Sequence, residues 1–205
     1  MKAQAREPLI DQVARFLRAV PEGDLATMRR VLEGFPEVAS TSIHAACAAC
    51  DAGAVERWLA RDASVATAKL RDTGWTPLDC LAVSPMFGID DAHREASVAI
   101  GRRLLALEAD ANTFTLASPD DSSSRLSVLY RASEQGNRGL VQLLLEHGAN
   151  PNDGESAYHA AERNHRDDAR AAGRARRRDL GRTPTLEQHG ALLPRRLSRR
   201  PPACP

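Results

Sequence analysis

Cys47 and Cys50 are separated by two alanines, a spacing found in thiol–disulfide redox motifs and in metal sites. Redox exchange needs a thiol whose pKa is lowered by its surroundings, and a zinc site needs further ligands at a matching spacing. The sequence has no second C-x-x-C, and its other cysteines are Cys80 and Cys204. Small-residue packing in a core is the favoured interpretation of the pair, with a thiol-redox or metal role as an alternative.

The other residue types that carry chemistry do not form a catalytic pattern. Asp90–Asp91 and Asp120–Asp121 lie in polar segments, where solvation is the expected role. The histidines show no H-x-x-H or H-E-x-x-H spacing, and neither a Gly-rich phosphate loop nor a Gly-x-Ser-x-Gly motif occurs. The sequence therefore predicts no catalytic residue, no metal site and no cofactor.

A repeated pair of short helices is the organising feature of the chain. Its clearest copy runs from Ser127 to Asn152: an apolar helix pattern, a turn at Gly136, a leucine-rich second helix and a closing Gly148. Four weaker copies share this order. They are marked by Phe16–Leu17 before Gly23–Asp24, Ile43–Ala46 before Cys50–Asp51, Asp72–Leu78 before Ala109–Asn112, and Gly154–Ala161. Self-similarity with a period of about 20–50 residues indicates a stacked array.

Two motifs of this repeat resemble the ankyrin repeat. One is Gly74 followed by Thr76, Pro77 and Leu78, and the other is the run LLLEHGAN at 143–150. The resemblance covers roughly residues 12–167 and implies an all-α solenoid of paired antiparallel helices. It also implies that His44 and His159, at the family's histidine position, join neighbouring loops by hydrogen bonds; Asp79 and Tyr130 replace this histidine in other copies.

Elementary physics supports the same architecture. Each short helix has one apolar face that it cannot bury alone, so stability must come from stacking between neighbours. Small residues permit this close approach: Ala45, Ala46, Ala132, Ala160 and Ala161. Asp24, Asp51 and Asn137 are expected to cap the second helix of their pairs.

Two irregular segments interrupt the array. An insertion at about 84–96 separates the helices of the third pair, and a polar loop at 117–124 follows that pair. Met86 and Phe87 in the insertion either form an adhesive tip or fold back over a neighbouring helix.

The chain ends in a strongly basic segment. Residues 168–205 contain ten arginines and three acidic residues, whereas the net charge of the whole chain is +1. Arg170 and Arg174 fall where the fifth copy needs apolar residues, and the run Arg176–Arg178 follows them, so this segment cannot pack as an inner helix. A polar end cap, a disordered tail and a compensated frame error in a GC-rich gene remain possible explanations.

The sequence therefore predicts three regions in the chain: a lead-in at 1–11, the array at 12–167 and the basic segment at 168–205. The start lacks an apolar signal segment and no run of about 20 apolar residues occurs, so a cytoplasmic monomer without membrane contact is expected.

The predicted function is a non-catalytic adaptor or inhibitor that binds another protein through the concave face and hairpin tips. Trp75 is the expected anchor. The other predicted contacts are Arg71, Asp72, Met86, Phe87, Arg131, Glu134 and Gln135. The alternative is nucleic-acid or other polyanion binding by the arginines of 168–205.

Overall fold

The computed structural model describes residues 7–116, 124–153 and 156. Within them the chain forms four consecutive pairs of helices, and each pair contributes a first and a second helix to the array. The first helices are α1 (Leu9–Glu22), α3 (Ile43–Ala48), α5 (Pro77–Val83) and α7 (Val128–Gln135). The second helices are α2 (Leu25–Gly34), α4 (Ala52–Arg61), α6 (Asp91–Leu105) and α8 (Arg138–Glu146). The prediction of an all-α repeat array is confirmed.

The turn inside three of the pairs uses one backbone device. A residue with left-handed backbone ends the first helix, and the next residue caps the second helix. The left-handed residues are Gly23 (φ 65°), Cys50 (φ 54°) and Gly136 (φ 78°). The caps are Asp24, Asp51 and Asn137, whose side chains accept hydrogen bonds from Thr27, Ala54 and Leu140 backbone N–H groups at 2.9, 2.8 and 3.2 Å. The predicted capping is therefore present in all three pairs.

The helices stack in two layers. The first helices pack in the order α1, α3, α5, α7, and α4, α6 and α8 pack in the same order beside them. Ala45, Ala46 and Ala132 are fully buried between first helices, as their small size predicts. Leucines of the second helices, such as Leu104 and Leu144, fill the space between the layers.

The insertion in the third pair lengthens a helix rather than forming a long loop. After a 3₁₀ turn at Pro85–Gly88, Asp90 accepts a hydrogen bond from the His93 backbone N–H at 2.8 Å and caps α6. Helix α6 therefore has 15 residues, against 10 in α4 and 9 in α8. Residues 91–96, which the sequence predicted to be part of an irregular insertion, form the first turns of α6 instead.

A short β-hairpin stands beside the helices. Strands β1 (Phe114–Leu116) and β2 (Arg125–Ser127) are antiparallel, with Phe114 opposite Ser127. The sequence predicted a polar loop at 117–124, which the two strands flank, but it did not predict the strands. Residues 117–123 of that loop lie outside the described part of the chain, as do most of the fifth copy, His159 and residues 168–205.

The loops that follow α6 and α8 are built alike. Ala109 and Ala149 donate backbone N–H groups to Leu104 and Leu144, which places Glu108 (φ 64°) and Gly148 (φ 85°) at equivalent left-handed positions. The Asn112 side chain joins the two loops, donating to Gly148 O at 3.2 Å and accepting from Asn150 N–H at 2.8 Å. Among the helices described, none is long and apolar enough to cross a membrane.

Candidate functional site

The turn from Leu70 to Trp75, called the 70–75 turn below, projects before α5. It is closed by hydrogen bonds from Leu70 N–H to Trp75 O at 2.9 Å and from Gly74 N–H to Leu70 O at 2.8 Å. Gly74 has a φ of 72°, which explains the glycine at this position. Arg71 and Asp72 are exposed at the tip, whereas Trp75 is partly buried against the core.

His44 holds this turn on the array. Its Nε2 lies 2.9 Å from Ala68 O, and its ring also bonds the backbone of Trp75. Burial lowers the pKa of His44 despite these bonds, which favours the neutral imidazole. The Nε2 that faces the Ala68 carbonyl must then carry the proton and donate it. This geometry agrees with the loop-joining role expected from the sequence.

Asp79 takes the corresponding place in the third pair. Its Oδ2 accepts hydrogen bonds from Thr76 N–H and Thr76 Oγ1, both at 2.8 Å, and from Thr113 Oγ1 at 3.2 Å. Its Oδ1 is buried and has no hydrogen-bond partner among the described residues. Burial raises the pKa of this carboxyl group. A carboxyl group thus joins α5 to the next loop, a role that the sequence did not reveal beyond the replacement of the histidine.

An apolar groove lies between α1 and the 70–75 turn. Its volume is about 580 Å³, and Cys80 of α5 contributes to its lining. The apolar wall on α1 comes from Ile10, Val13, Ala14, Leu17, Val20 and Pro21, which face Leu70 and Trp75 across the groove. Arg18, Arg71, Asp72 and Thr73 complete the lining. We call this surface the α1 groove.

The α1 side of this groove was missed from sequence. The buried face of α1 consists of Gln12, Phe16, Ala19 and Val20. Ile10, Val13 and Leu17 form a second apolar stripe on the same helix, and Ile10 is 77% exposed. The signal was therefore available in the sequence, because α1 carries a second apolar stripe beside its buried face.

The residues predicted to contact a partner fall into separate places. Arg71, Asp72 and Trp75 all line the α1 groove. Met86 is 3% exposed and Phe87 is packed against the core, so the insertion folds back and Met86 is not available to a partner. This corrects the expectation of an adhesive tip at Met86, because the 3₁₀ turn directs that side chain into the core.

Arg131, Glu134 and Gln135 lie on α7 and do not line the α1 groove. Arg131 forms an ion pair with Glu134 at 3.2 Å and donates from Nε to Thr115 Oγ1 at 3.0 Å. The bond to Thr115 ties α7 to β1. Arg131 and Glu134 thus already have partners within the chain.

The cysteines are packed as small core residues. Cys47, Cys50 and Cys80 are free thiols buried inside the array. Burial raises the pKa of Cys50 to about 12 and also raises those of Cys47 and Cys80. A redox-active cysteine needs the opposite shift. Over the described ranges, no group of three or more His, Cys, Asp and Glu side chains is placed to hold a metal ion.

Comparison with known families finds a match for one of these helix pairs. Residues 125–156, which contain β2, α7 and α8, match the family model of the ankyrin repeat. The first and second helix pairs share the turn and cap geometry of this matched repeat. The ankyrin repeat is a protein-interaction module. A search of curated proteins found no match to the chain.

Proposed function

We propose that this protein is a non-catalytic adaptor or inhibitor whose partner protein binds along the α1 groove. The supporting observation is that Arg71, Asp72 and Trp75 line one groove together with the second apolar stripe of α1. Aromatic and arginine side chains around an apolar centre are the composition typical of interaction hot spots.

The rigidity of the 70–75 turn supports the same proposal. Two backbone hydrogen bonds close the turn, and His44 fixes both Ala68 and Trp75. A wall held in this way loses little conformational freedom when a partner binds, which favours affinity.

Site-specific photo-crosslinking tests the location of the partner. The full-length protein would carry p-benzoylphenylalanine in place of Asp72 at the tip, or in place of Glu95 on α6 as the control position. We expect discrete crosslinked proteins from position 72 only, and their loss when Trp75→Ala is added. Equal crosslinking from both positions, or a pattern that Trp75→Ala does not change, would count against this site.

The identity of the captured proteins separates the two roles. An inhibitor is expected to capture one protein whose activity falls on binding. An adaptor is expected to retain a second protein at the same time as the first.

A polyanion-binding role for residues 168–205 is the second candidate, supported by their ten arginines. Counterion release predicts nucleic-acid retention that falls steeply with salt. Replacing Arg176, Arg177 and Arg178 by Gln in the full chain should then reduce the slope of log affinity against log salt. An unchanged slope would exclude these arginines from the contact.

A further inference from the structure

We propose that the partner segment held in the α1 groove is an acidic amphipathic peptide, with apolar side chains in the groove and carboxylates on Arg18 and Arg71. The proposal rests on the proposed function, because it assigns a chemical class to the partner of the same site.

The apolar half of the inference comes from the groove itself. Ile10 is 77% exposed, and Val13 and Leu17 remain partly exposed beside it on α1. Across from them, Leu70 and Trp75 form an apolar wall. Isolated exposed apolar residues are ordinary, but a contiguous apolar surface with polar residues at its edge marks an interaction site.

The size of the groove limits what it can hold. At about 580 Å³ it falls within the range of about 300–1,000 Å³ that binds small ligands or a few side chains. It is too small for the flat face of a folded domain to enter. A short segment with a few apolar anchors matches this volume.

The charge at the edge of the groove indicates which sign of charge the bound segment should carry. Arg18 and Arg71 are both exposed, and neither forms an ion pair within the described residues. Arg18 donates through Nε to Ala14 O at 3.2 Å, which leaves its terminal nitrogens for another acceptor. Asp72 is the sole acidic residue among those lining the groove. With two guanidinium groups and one carboxylate, the lining of the groove has a net positive charge. This charge favours partner carboxylates, which arginine binds through two parallel hydrogen bonds.

The same charge argument disfavours the chain's own basic segment as the occupant. Residues 168–205 contain ten arginines and three acidic residues, so their charge has the same sign as the edge of the groove. Like charges brought together at an interface oppose binding.

A random peptide library displayed on phage tests this chemistry, because it offers the groove every type of side chain at once. The library would be selected on the full-length protein, and each enriched peptide would be tested against Ile10→Ser to confirm that it binds in the α1 groove. We expect groove-dependent peptides that combine Leu or Phe with Glu or Asp. Groove-dependent peptides rich in Lys or Arg, or no groove-dependent peptide at all, would overturn the proposal.

Charge reversal supplies the second measurement. The double variant Arg18→Glu/Arg71→Glu should weaken an acidic peptide selected on the wild type by about tenfold or more, because exposed pairs are modest individually and become repulsive on reversal. Selection on this variant should shift the enriched peptides toward Lys and Arg. Arg30→Glu, at an exposed position of α2 outside the groove, is the control and should leave the affinity unchanged. Equal affinity for wild type and double variant would overturn the assignment of charge.

Two other possible occupants of the α1 groove would give different experimental results. Competition by a synthetic peptide of residues 180–200 would show that the chain's own basic segment occupies the groove. A wild-type dimer that becomes monomeric in Ile10→Ser would show that a second copy occupies it. Either result overturns the acidic-peptide assignment. If crosslinking locates a partner at position 72 while the selected peptides are basic, the proposed function stands and only the partner chemistry is wrong.

Discussion

The side-chain amide of Asn137 donates from Nδ2 to the hydroxyl oxygen of Ser97 at 2.7 Å, and both residues are buried. The orientation of this amide is fixed because Oδ1 accepts the Leu140 backbone N–H at 3.2 Å. One side chain therefore caps α8 and also joins it to α6. The bond sets the register of the third pair against the fourth.

Removing the hydroxyl group should expose the strength of this connection. We expect Ser97→Ala to lower the free energy of unfolding by about 1–3 kcal/mol, because it leaves the buried Asn137 Nδ2 without its partner. Asp51→Ala, which removes a helix cap alone, should cost about 1 kcal/mol. Urea denaturation of both variants gives the comparison, and a Ser97→Ala loss smaller than that of Asp51→Ala would contradict the register role.

Gly139 and Gly53 each occupy the second position of a helix, α8 and α4 respectively. We expect substitution by alanine to have opposite effects on stability at the two positions. A Cβ at Gly139 would lie 2.5 Å from Val98 Cγ2, and the branched valine has little freedom to move. We expect Gly139→Ala to destabilise the fold by about 1–3 kcal/mol through overpacking.

At Gly53 the nearest atoms would be 3.4 Å away, an ordinary contact. Gly53→Ala should therefore stabilise the protein by about 0.4–1 kcal/mol by restricting the unfolded chain. Thermal melts of the two variants should move in opposite directions. A Gly139→Ala variant that is as stable as the wild type or more stable would show that the α6–α8 approach at Gly139 is not tight.

The loops after α6 and α8 allow a second pair of substitutions with opposite expected effects on stability. Glu108 is exposed and has left-handed backbone (φ 64°), whereas Gly148 fills the equivalent position. Glu108→Gly should raise stability by up to about 1 kcal/mol, since it relieves a strain of about 1–2 kcal/mol and adds unfolded-state entropy. Gly148→Ala should lower stability by a comparable amount. Calorimetric unfolding of the two variants measures both effects, and a stabilised Gly148→Ala would refute the backbone argument.

Asp79 should give part of the stability an unusual pH dependence. Burial raises its pKa in the folded state above the unfolded value of about 3.8–3.9, so the folded state binds the proton more tightly. The stability that the Asp79 carboxyl group contributes is fully present below the pKa of the unfolded state. It is lost as the pH rises through the pKa of the folded state. Hydrogen bonds lower the pKa values of Asp24, Asp62 and Asp90, which therefore contribute stability that is lost as pH falls.

A difference measurement separates these opposing effects. The stability of Asp79→Asn relative to the wild type should improve as pH is raised from about 4 to 7, because asparagine cannot ionise. Denaturant titrations at a series of pH values provide this curve. A difference that stays constant over the whole range would show that folding does not raise the pKa of Asp79.

The helix pairs and their turns followed from the sequence because their determinants are local. An asparagine or aspartate after a left-handed residue is visible in the sequence, and even Cys50 was correctly placed at the glycine position. The extension of α6 was not visible in the same way. Asp90 and Asp91 were interpreted as solvated loop residues, although an aspartate followed by a segment without Gly or Pro also begins a helix.

The candidate site was only half predictable because its two walls are far apart in sequence. Trp75 stands out as an aromatic residue beside a turn glycine, so its wall could be proposed directly. Ile10 and Leu17 carry only the weaker signal of a second apolar stripe on α1, and their partnership with Leu70 follows from stacking. For Met86 the sequence allowed both an exposed and a buried state, and packing on the core decided between them.

The close approach at Gly139 also limits how this array can change its number of units. Ala99 is the residue of the third pair that corresponds to Gly139 of the fourth, as the equivalent loops after α6 and α8 show. A gene duplication that placed a second copy of the third pair after the first would bring Ala99 against Val98, where the structure has room only for glycine. The units are therefore not interchangeable, and their order is part of what the sequence encodes.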